Sequence, residues 1–319
     1  MTAPHDPIVT VVVPGFDVEE YAGEAIASLE AQTFRAWTAI LVDDASSDAT
    51  GAVFDDAAAR DPRFRVVHLD RRLGLGAARN AGLDLVTTSL VGFLDADDRL
   101  RPDALDALVR TITASGSEVA VGAYVRLRPS GAGAYEPGDV QPWVAAATHP
   151  GRTGTSLAEH PDLAGNIVAW SKLSRIDLWR REGVRFPEGR AYEDQVVAQL
   201  LYTRARGIDV VPDVVVEWRE RADGSSITQR TADPAILTDY LDALRGGIAV
   251  LESAGLDAAV QSRVALIQHL DLPPLLTIAR DHPDDRYRRI LGSFVRDLLA
   301  RDADPVTDLT QPTAAATLW

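Results

Sequence analysis

Leu90-Val91-Gly92-Phe93-Leu94-Asp95-Ala96-Asp97-Asp98 sets an apolar run directly against a dense acidic group. A short apolar run bounded by turn-forming residues reads as a buried strand, so three carboxylates stand where that strand ends. The arrangement recurs upstream. Residues 8–14 form a β-branched run that stops at Gly15, Phe16 and Asp17, and residues 37–42 lead straight into Asp43-Asp44-Ala45-Ser46-Ser47-Asp48. Between them, Tyr21, Ala25, Ile26 and Leu29 recur at helical spacing. The alternation continues with helices over 50–60, 76–86 and 102–115 and strands over 65–69 and 118–125. It predicts an α/β fold, a mostly parallel sheet with helices on both faces. In such a sheet ligands bind outside the carboxyl ends of the strands, which is where the polar clusters fall.

Further along, residues 128–154 are rich in Gly, Pro and Ala, lack a clear period, and read as a long connection beside a binding site. A helix beginning near Tyr192 carries Val196, Val197, Leu200 and Leu201 on its apolar side, and a strand follows over 208–216. The pattern then changes. Segments 234–254, 257–270 and 283–300 read as amphipathic helices, so the expected organisation is a catalytic domain over 1–231, a helical appendage over 232–301 and a loose tail over 302–319.

Composition narrows the function. Of 319 residues, 46% are hydrophobic and 25% charged, which is ordinary for a globular chain. There is no cysteine, so disulfides, thiolate metal sites and thiolate nucleophiles are excluded, and any metal must take oxygen or imidazole ligands. A formal charge of −15 argues against binding nucleic acid or an anionic membrane surface through a broad basic face. Neither a signal peptide nor a membrane-spanning run is apparent, so a soluble, unexported protein is expected.

Asp95, Asp97 and Asp98 would repel one another unless a cation compensates them. Hard divalent ions such as Mg²⁺ and Mn²⁺ prefer oxygen ligands and share them with phosphate, so a metal bridging to a diphosphate is one reading and a solvated turn before the next helix is the other. Likewise, Asp43 or Asp44 could accept a base N–H, while Ser46–Asp48 suits a turn and helix cap. Gly74-Leu75-Gly76-Ala77-Ala78-Arg79-Asn80-Ala81-Gly82 is not the dinucleotide fingerprint, but its small residues allow close approach to a nucleotide. Arg79 there suits either a surface ion pair or a position facing the nucleotide or the acidic edge.

In this order the clusters resemble the inverting glycosyltransferase family 2, built on the GT-A fold. Pro14-Gly15-Phe16-Asp17 matches the family's opening motif, 43–48 its Asp-Asp-x-Ser-x-Asp, Ala78-Arg79-Asn80-Ala81-Gly82 its Ala-Arg-Asn-x-Gly, and Asp95-Ala96-Asp97 its Asp-x-Asp. Trp170-Ser171-Lys172-Leu173, Phe186-Pro187-Glu188-Gly189 and Tyr192-Glu193-Asp194 are similar to segments of members that act on cell-surface polymers. The resemblance spans roughly 8–228 and implies transfer of a sugar from a nucleotide-diphosphate donor, UDP foremost, to a hydroxyl-bearing glycan or polymer. It implies Mn²⁺ or Mg²⁺ on Asp97, Asp194 as general base with Glu193 beside it, and donor contacts from Pro14, Phe16, Asp17, Asp43, Asp44, Arg79, Asp95 and Ala96. Arg221 and Ser226, in a stretch like the family's Arg and Ser-x-Thr loop, would close over the diphosphate.

Several positions stay open between function and structure. Glu193 and Asp194 also suit the first turn of a helix, Trp170 either stacks on an acceptor sugar or fills the core, and Lys172 either contacts the acceptor or does not. Gly15, Asp17, Arg71, Arg72 and Ser171 depart from the family pattern, which loosens the expectation about base and acceptor. The competing readings are a nucleotidyltransferase, disfavoured by the acidic stretch after the first strand, and a nucleotide-sugar-binding partner without turnover. The expected location is the cytoplasm, including peripheral association with machinery at the inner membrane face, and the C-terminal helices are a candidate self-association surface.

Overall fold

Strands buried on both faces need near-continuous apolar runs, and such runs lie at the centre of the sheet. The computed structural model describes residues 6–131, 133–224, 226 and 230–301. Its strands are β1 (Val9–Gly15), β2 (Trp37–Asp43), β3 (Phe64–His68), β4 (Leu90–Phe93), β5 (Arg99–Leu100), β6 (Val119–Gly131), β7 (Ala134–Val140), β8 (Arg152–Thr155), β9 (Lys172–Arg175) and β10 (Ile208–Arg219). They join in one sheet of order β3-β2-β1-β4-β9-β6-β10-β5, with β7 on β6 and β8 on β10.

The parallel alternation holds from β3 to β4 and again between β6 and β10. Beyond that the sheet is mixed, because β9 runs antiparallel between β4 and β6. Its Lys-Leu-Ser-Arg sequence carries no apolar run, although Lys172, Leu173 and Ser174 are all buried. Residues 128–154 correct the expected structureless connection. They complete β6, turn into the largely exposed β7, and form α5 (Pro142–Thr148) and β8. An edge hairpin with both faces wet leaves little hydrophobic period to read.

Helices cover both faces. On one, α1 (Glu19–Glu30), α2 (Thr50–Arg60) and α4 (Ala104–Ser115) pack Ile26, Leu29, Phe54, Leu108 and Ile112 on Val11, Val13 and Leu41. The other face carries α3 (Leu75–Asp84), α6 (Ile176–Glu182) and α7 (Asp194–Arg204), and beyond them α8 (Pro234–Ser253), α9 (Asp257–Leu266), α10 (Leu272–Asp281) and α11 (Asp285–Leu299). Leu237, Leu241 and Ile248 of α8 and Leu291, Phe294 and Leu298 of α11 belong to one continuous core with Val197, Ala198 and Leu201 of α7. The single helix expected over 257–270 is instead α9, a π-turn at Ile267–Asp271, and α10, whose first turn accommodates Pro273 and Pro274 because early helical amides need no intrahelical acceptor. No helix among the described residues is long and apolar enough to cross a membrane. The tail from 302 onward lies outside the described residues.

Candidate functional site

The carboxyl ends of β2, β1 and β4 are drawn together by their own backbone. Gly15 O accepts from Asp44 N at 2.9 Å, and Pro14 O accepts from Ala96 N at 3.2 Å. Three polar loops therefore meet where the sheet ends. Among the described residues, the non-glycine positions with positive φ are Asp17 (48°), Ala45 (57°) and Tyr192 (60°), and all three fall in these motifs or in the one before α7. Such conformations are costly and tend to mark functional sites.

The first two loops are stitched reciprocally. Asp17 Oδ1 accepts from Ser47 N (2.8 Å) and Ser47 Oγ (3.2 Å), and Asp17 N donates to Ser46 Oγ at 3.2 Å. Asp48 accepts from Glu19 N (3.0 Å) and from Thr50 N at the start of α2 (2.9 Å), which makes 46–48 a capping turn. Phe16 lies beneath the Arg72 guanidinium at 3.8 Å.

Asp43 and Asp44 take different tasks. Asp43 accepts from Ser46 N and faces His68 Nδ1, each at 2.9 Å. Burial pushes its carboxyl up, but the Ser46 and His68 hydrogen bonds outweigh burial and hold it below the usual aspartate range. Both Asp44 oxygens accept backbone amides, Leu73 N at 2.7 Å and Gly74 N at 2.8 Å, so this carboxylate shapes the loop entering α3. The sequence reading missed His68, although it stands at the end of β3 as the acidic clusters stand at the ends of β2 and β4.

Ala78-Arg79-Asn80-Ala81-Gly82 acts as a clamp. Gly82 lies flat on Val12, where a Cβ would come within 2.3 Å of Val12 Cγ1. Asn80 accepts from Phe186 N (3.0 Å) and donates to Phe186 O (2.9 Å). Gly76 abuts the Pro187 carbonyl, which a Cβ would meet at 2.1 Å. The small residues thus admit the loop before α7 rather than a nucleotide. Arg79, 1% exposed, donates from Nη1 to Glu193 Oε1 and from Nη2 to Asp95 Oδ1, the latter at 2.6 Å. Arg79 is thus no surface ion pair but faces the acidic edge, buried between Asp95 and Glu193.

Asp194 is the first residue of α7, beside Glu193. Burial pushes both carboxyls upward, that of Glu193 to about 7, against the pull of Arg79. Lys172 also draws the Asp194 carboxyl down, and Asp95 drives it up. Lys172 itself is buried, donating to Asn166 Oδ1 at 2.9 Å and to Val168 O, and burial takes its ammonium down to about 7. Trp170 is buried edge-on to Tyr124, with ring centroids 4.8 Å apart, and backs onto the more accessible Trp218. Neither side chain reaches the surface as an acceptor contact would.

At the Asp-x-Asp, Asp95 turns to Arg79, while Asp97 Oδ2 accepts from Arg221 Nε (2.8 Å) and pairs with Nη2 (2.7 Å). Asp98 Oδ1 accepts from Arg219 N at 2.7 Å, and burial pushes its carboxyl far up. Asp95 and Asp97 are thus both partly exposed, and each already holds a guanidinium, Arg79 on the one and Arg221 on the other. Among the described residues no three His, Cys, Asp or Glu side chains surround one point. A small hard cation fits such a site, because Mg²⁺-like ions take one or two carboxylates and complete their shell with water and phosphate. Ser226 lines a cleft with Trp218 and Tyr240, and Ser225, Ile227 and Thr228 lie outside the described residues.

Residues 10–152 match the model of "Glycosyl transferase family 2". The chain is 27% identical over 299 residues to the uncharacterised glycosyltransferase EpsJ of Bacillus subtilis, covering 93% of this chain and 84% of EpsJ. Among solved structures, Staphylococcus aureus TarS 1–349 in complex with UDP-GlcNAc superposes with a TM-score of 0.59 at 21% identity, covering 91% of this chain and 92% of that one. The mannosyltransferase PcManGT of Pyrobaculum calidifontis, in complex with GDP-Man and Mn²⁺, superposes at 0.55 with 18% identity, covering 93% and 86%. At these identities the structural likenesses establish the fold.

Proposed function

We propose that this chain, whose residues 10–152 match the model of glycosyltransferase family 2, is a member of that family and inverts the anomeric centre of a UDP-sugar while transferring the sugar to a hydroxyl of a glycan or cell-surface polymer. The observation that carries the proposal is the Arg79 bridge. One buried guanidinium ties Asp95 of the Asp-x-Asp to Glu193, the neighbour of Asp194. It brings the end of β4, where a diphosphate would be held, to the start of α7, where a base would stand. The UDP-GlcNAc complex of the TarS neighbour supports the uridine donor.

Asp194 would take the acceptor proton. Its carboxyl is raised by burial, which makes it a stronger base than an exposed aspartate while Arg79 and Lys172 oppose full protonation. Asp43, kept ionised by Ser46 and His68, would accept a base N–H, and Phe16 would flank the base. Asp97 would hold Mn²⁺ or Mg²⁺, which when bound neutralises charge on the departing diphosphate. Arg221, now on Asp97, carries the planar donors suited to phosphate oxygens.

Calorimetric titration with UDP, GDP and TDP, each with and without Mn²⁺, tests the donor assignment. The expected result is Mn²⁺-dependent binding of UDP that is lost in Asp97→Ala. Equal UDP binding in that variant, or preference for another nucleotide, refutes the assignment.

A further inference from the structure

A cleft of about 270 Å³ opens between the ends of β6 and β10 and the helices α8 and α10. Tyr192, Trp218, Tyr240, Asp271, Arg126 and Ile278 line it. Three features mark it. Tyr192 adopts φ of 60°, a conformation costly for a bulky side chain, two residues before Asp194. Asp271 ends a π-turn, a departure from α-helical geometry that is frequent at functional sites. Finally, Asp271 is 6% exposed, and its Oδ2, in ionic contact with Arg263 Nη2 at 3.5 Å, is a buried oxygen with no hydrogen-bond partner among the described residues.

The rest of the wall suits a carbohydrate. The Tyr192 and Tyr240 rings lie 4.3 Å apart at 31°, and Tyr240 Oη donates to Asp271 Oδ1 at 2.7 Å, which fixes both the ring pair and the carboxylate. Trp218, which also lines the cleft, backs onto buried Trp170. A pyranose presents one apolar C–H face and a rim of hydroxyls. Aromatic planes match the first, and a carboxylate oxygen lacking a donor matches the second.

Resting on the glycosyltransfer reading above, we propose that this cleft is the acceptor subsite. It receives the terminal sugar of a glycan, with the ring against the Tyr192–Tyr240 pair and Trp218, a hydroxyl donating to Asp271 Oδ2, and the nucleophilic hydroxyl directed toward Asp194. The C-terminal helices thereby supply part of the substrate site, because Tyr240, Asp271 and Ile278 come from α8, the π-turn and α10.

The test uses the full chain with UDP-hexoses as donors and a panel of p-nitrophenyl α- and β-glycosides as acceptor probes. Ile278→Trp narrows the cleft from its rim, where Ile278 is partly exposed, and Asp271→Asn weakens the acceptor oxygen while keeping its shape. In both variants acceptor KM should rise at least about tenfold with donor KM within about twofold, the mark of lost acceptor binding rather than lost fold. Unchanged acceptor KM in both variants overturns the subsite while leaving glycosyltransfer intact. Failure of the wild type to transfer to any glycoside while it hydrolyses a UDP-hexose also overturns the glycan subsite. Failure to turn over any UDP-hexose at all contradicts the glycosyltransfer reading itself.

Discussion

Replacing Arg79 with Met removes the guanidinium that bridges Asp95 and Glu193 and leaves an apolar stem of similar length. Arg79 is 1% exposed and Glu193 3%, so water cannot substitute for the lost guanidinium at Glu193. Removing one partner of a buried ion pair costs about 3–5 kcal/mol, because the other is left charged and uncompensated. The loss should depend on pH. Burial already lifts the Glu193 carboxyl from 4.5 to about 7 against the pull of Arg79, and without that pull it rises further. A group whose folded pKa exceeds its unfolded value contributes stability at low pH that disappears as pH climbs through the folded value. The gap between wild type and Arg79→Met should accordingly be small near pH 5 and widen toward pH 8. Urea unfolding followed by tryptophan fluorescence measures it, and adding Glu193→Gln to the variant should return more than about 1 kcal/mol at pH 8. A loss below about 1 kcal/mol, or one equal at pH 5 and pH 8, refutes the claim that Arg79 is the electrostatic keystone of the site.

Lys172 behaves in the opposite sense. Its folded pKa falls from 10.5 to about 7, so the unfolded chain binds more protons between these values and wild-type stability should rise with pH across that window, a rise that Lys172→Met flattens. Thermal unfolding at pH 7 and 9 reads the difference, and parallel pH dependence in both proteins contradicts it. His68 is raised above its ordinary 6.5, chiefly by its hydrogen bonds to Asp43 and Asp55. The stabilisation it contributes is complete below that value and fades as pH rises through the shifted one. His68→Gln should therefore cost most near pH 5.5 and little by pH 8.5, with denaturant midpoints as the readout and a uniform cost as the opposing result.

The sequence made the donor half of the molecule legible because its signals are local. β1, β2 and β4 are uninterrupted apolar runs, and each delivers its acidic or turn cluster to the sheet end directly, as Asp95 and Asp97 illustrate. Arg79 was recognisable as a residue with two candidate settings, and burial beside Glu193 decided between them. What escaped is non-local. β9 reads as Lys-Leu-Ser-Arg and becomes a strand only by insertion between β4 and β6. Trp218 sits on a long strand where any aromatic residue looks like core, whereas Trp170, which drew attention through its motif, is the one packed behind it. Tyr240 and Asp271 occupy helical positions indistinguishable from structural ones until the π-turn brings them together across 31 residues.

If Asp194 acts as the base for transfer, steady-state transfer by Asp194→Asn, measured alongside its affinity for UDP in the presence of Mn²⁺, reveals it. The kcat of the variant should fall by about 10²- to 10⁴-fold, the range a positioned base contributes, with UDP affinity retained. Transfer at the wild-type rate in this variant would contradict it.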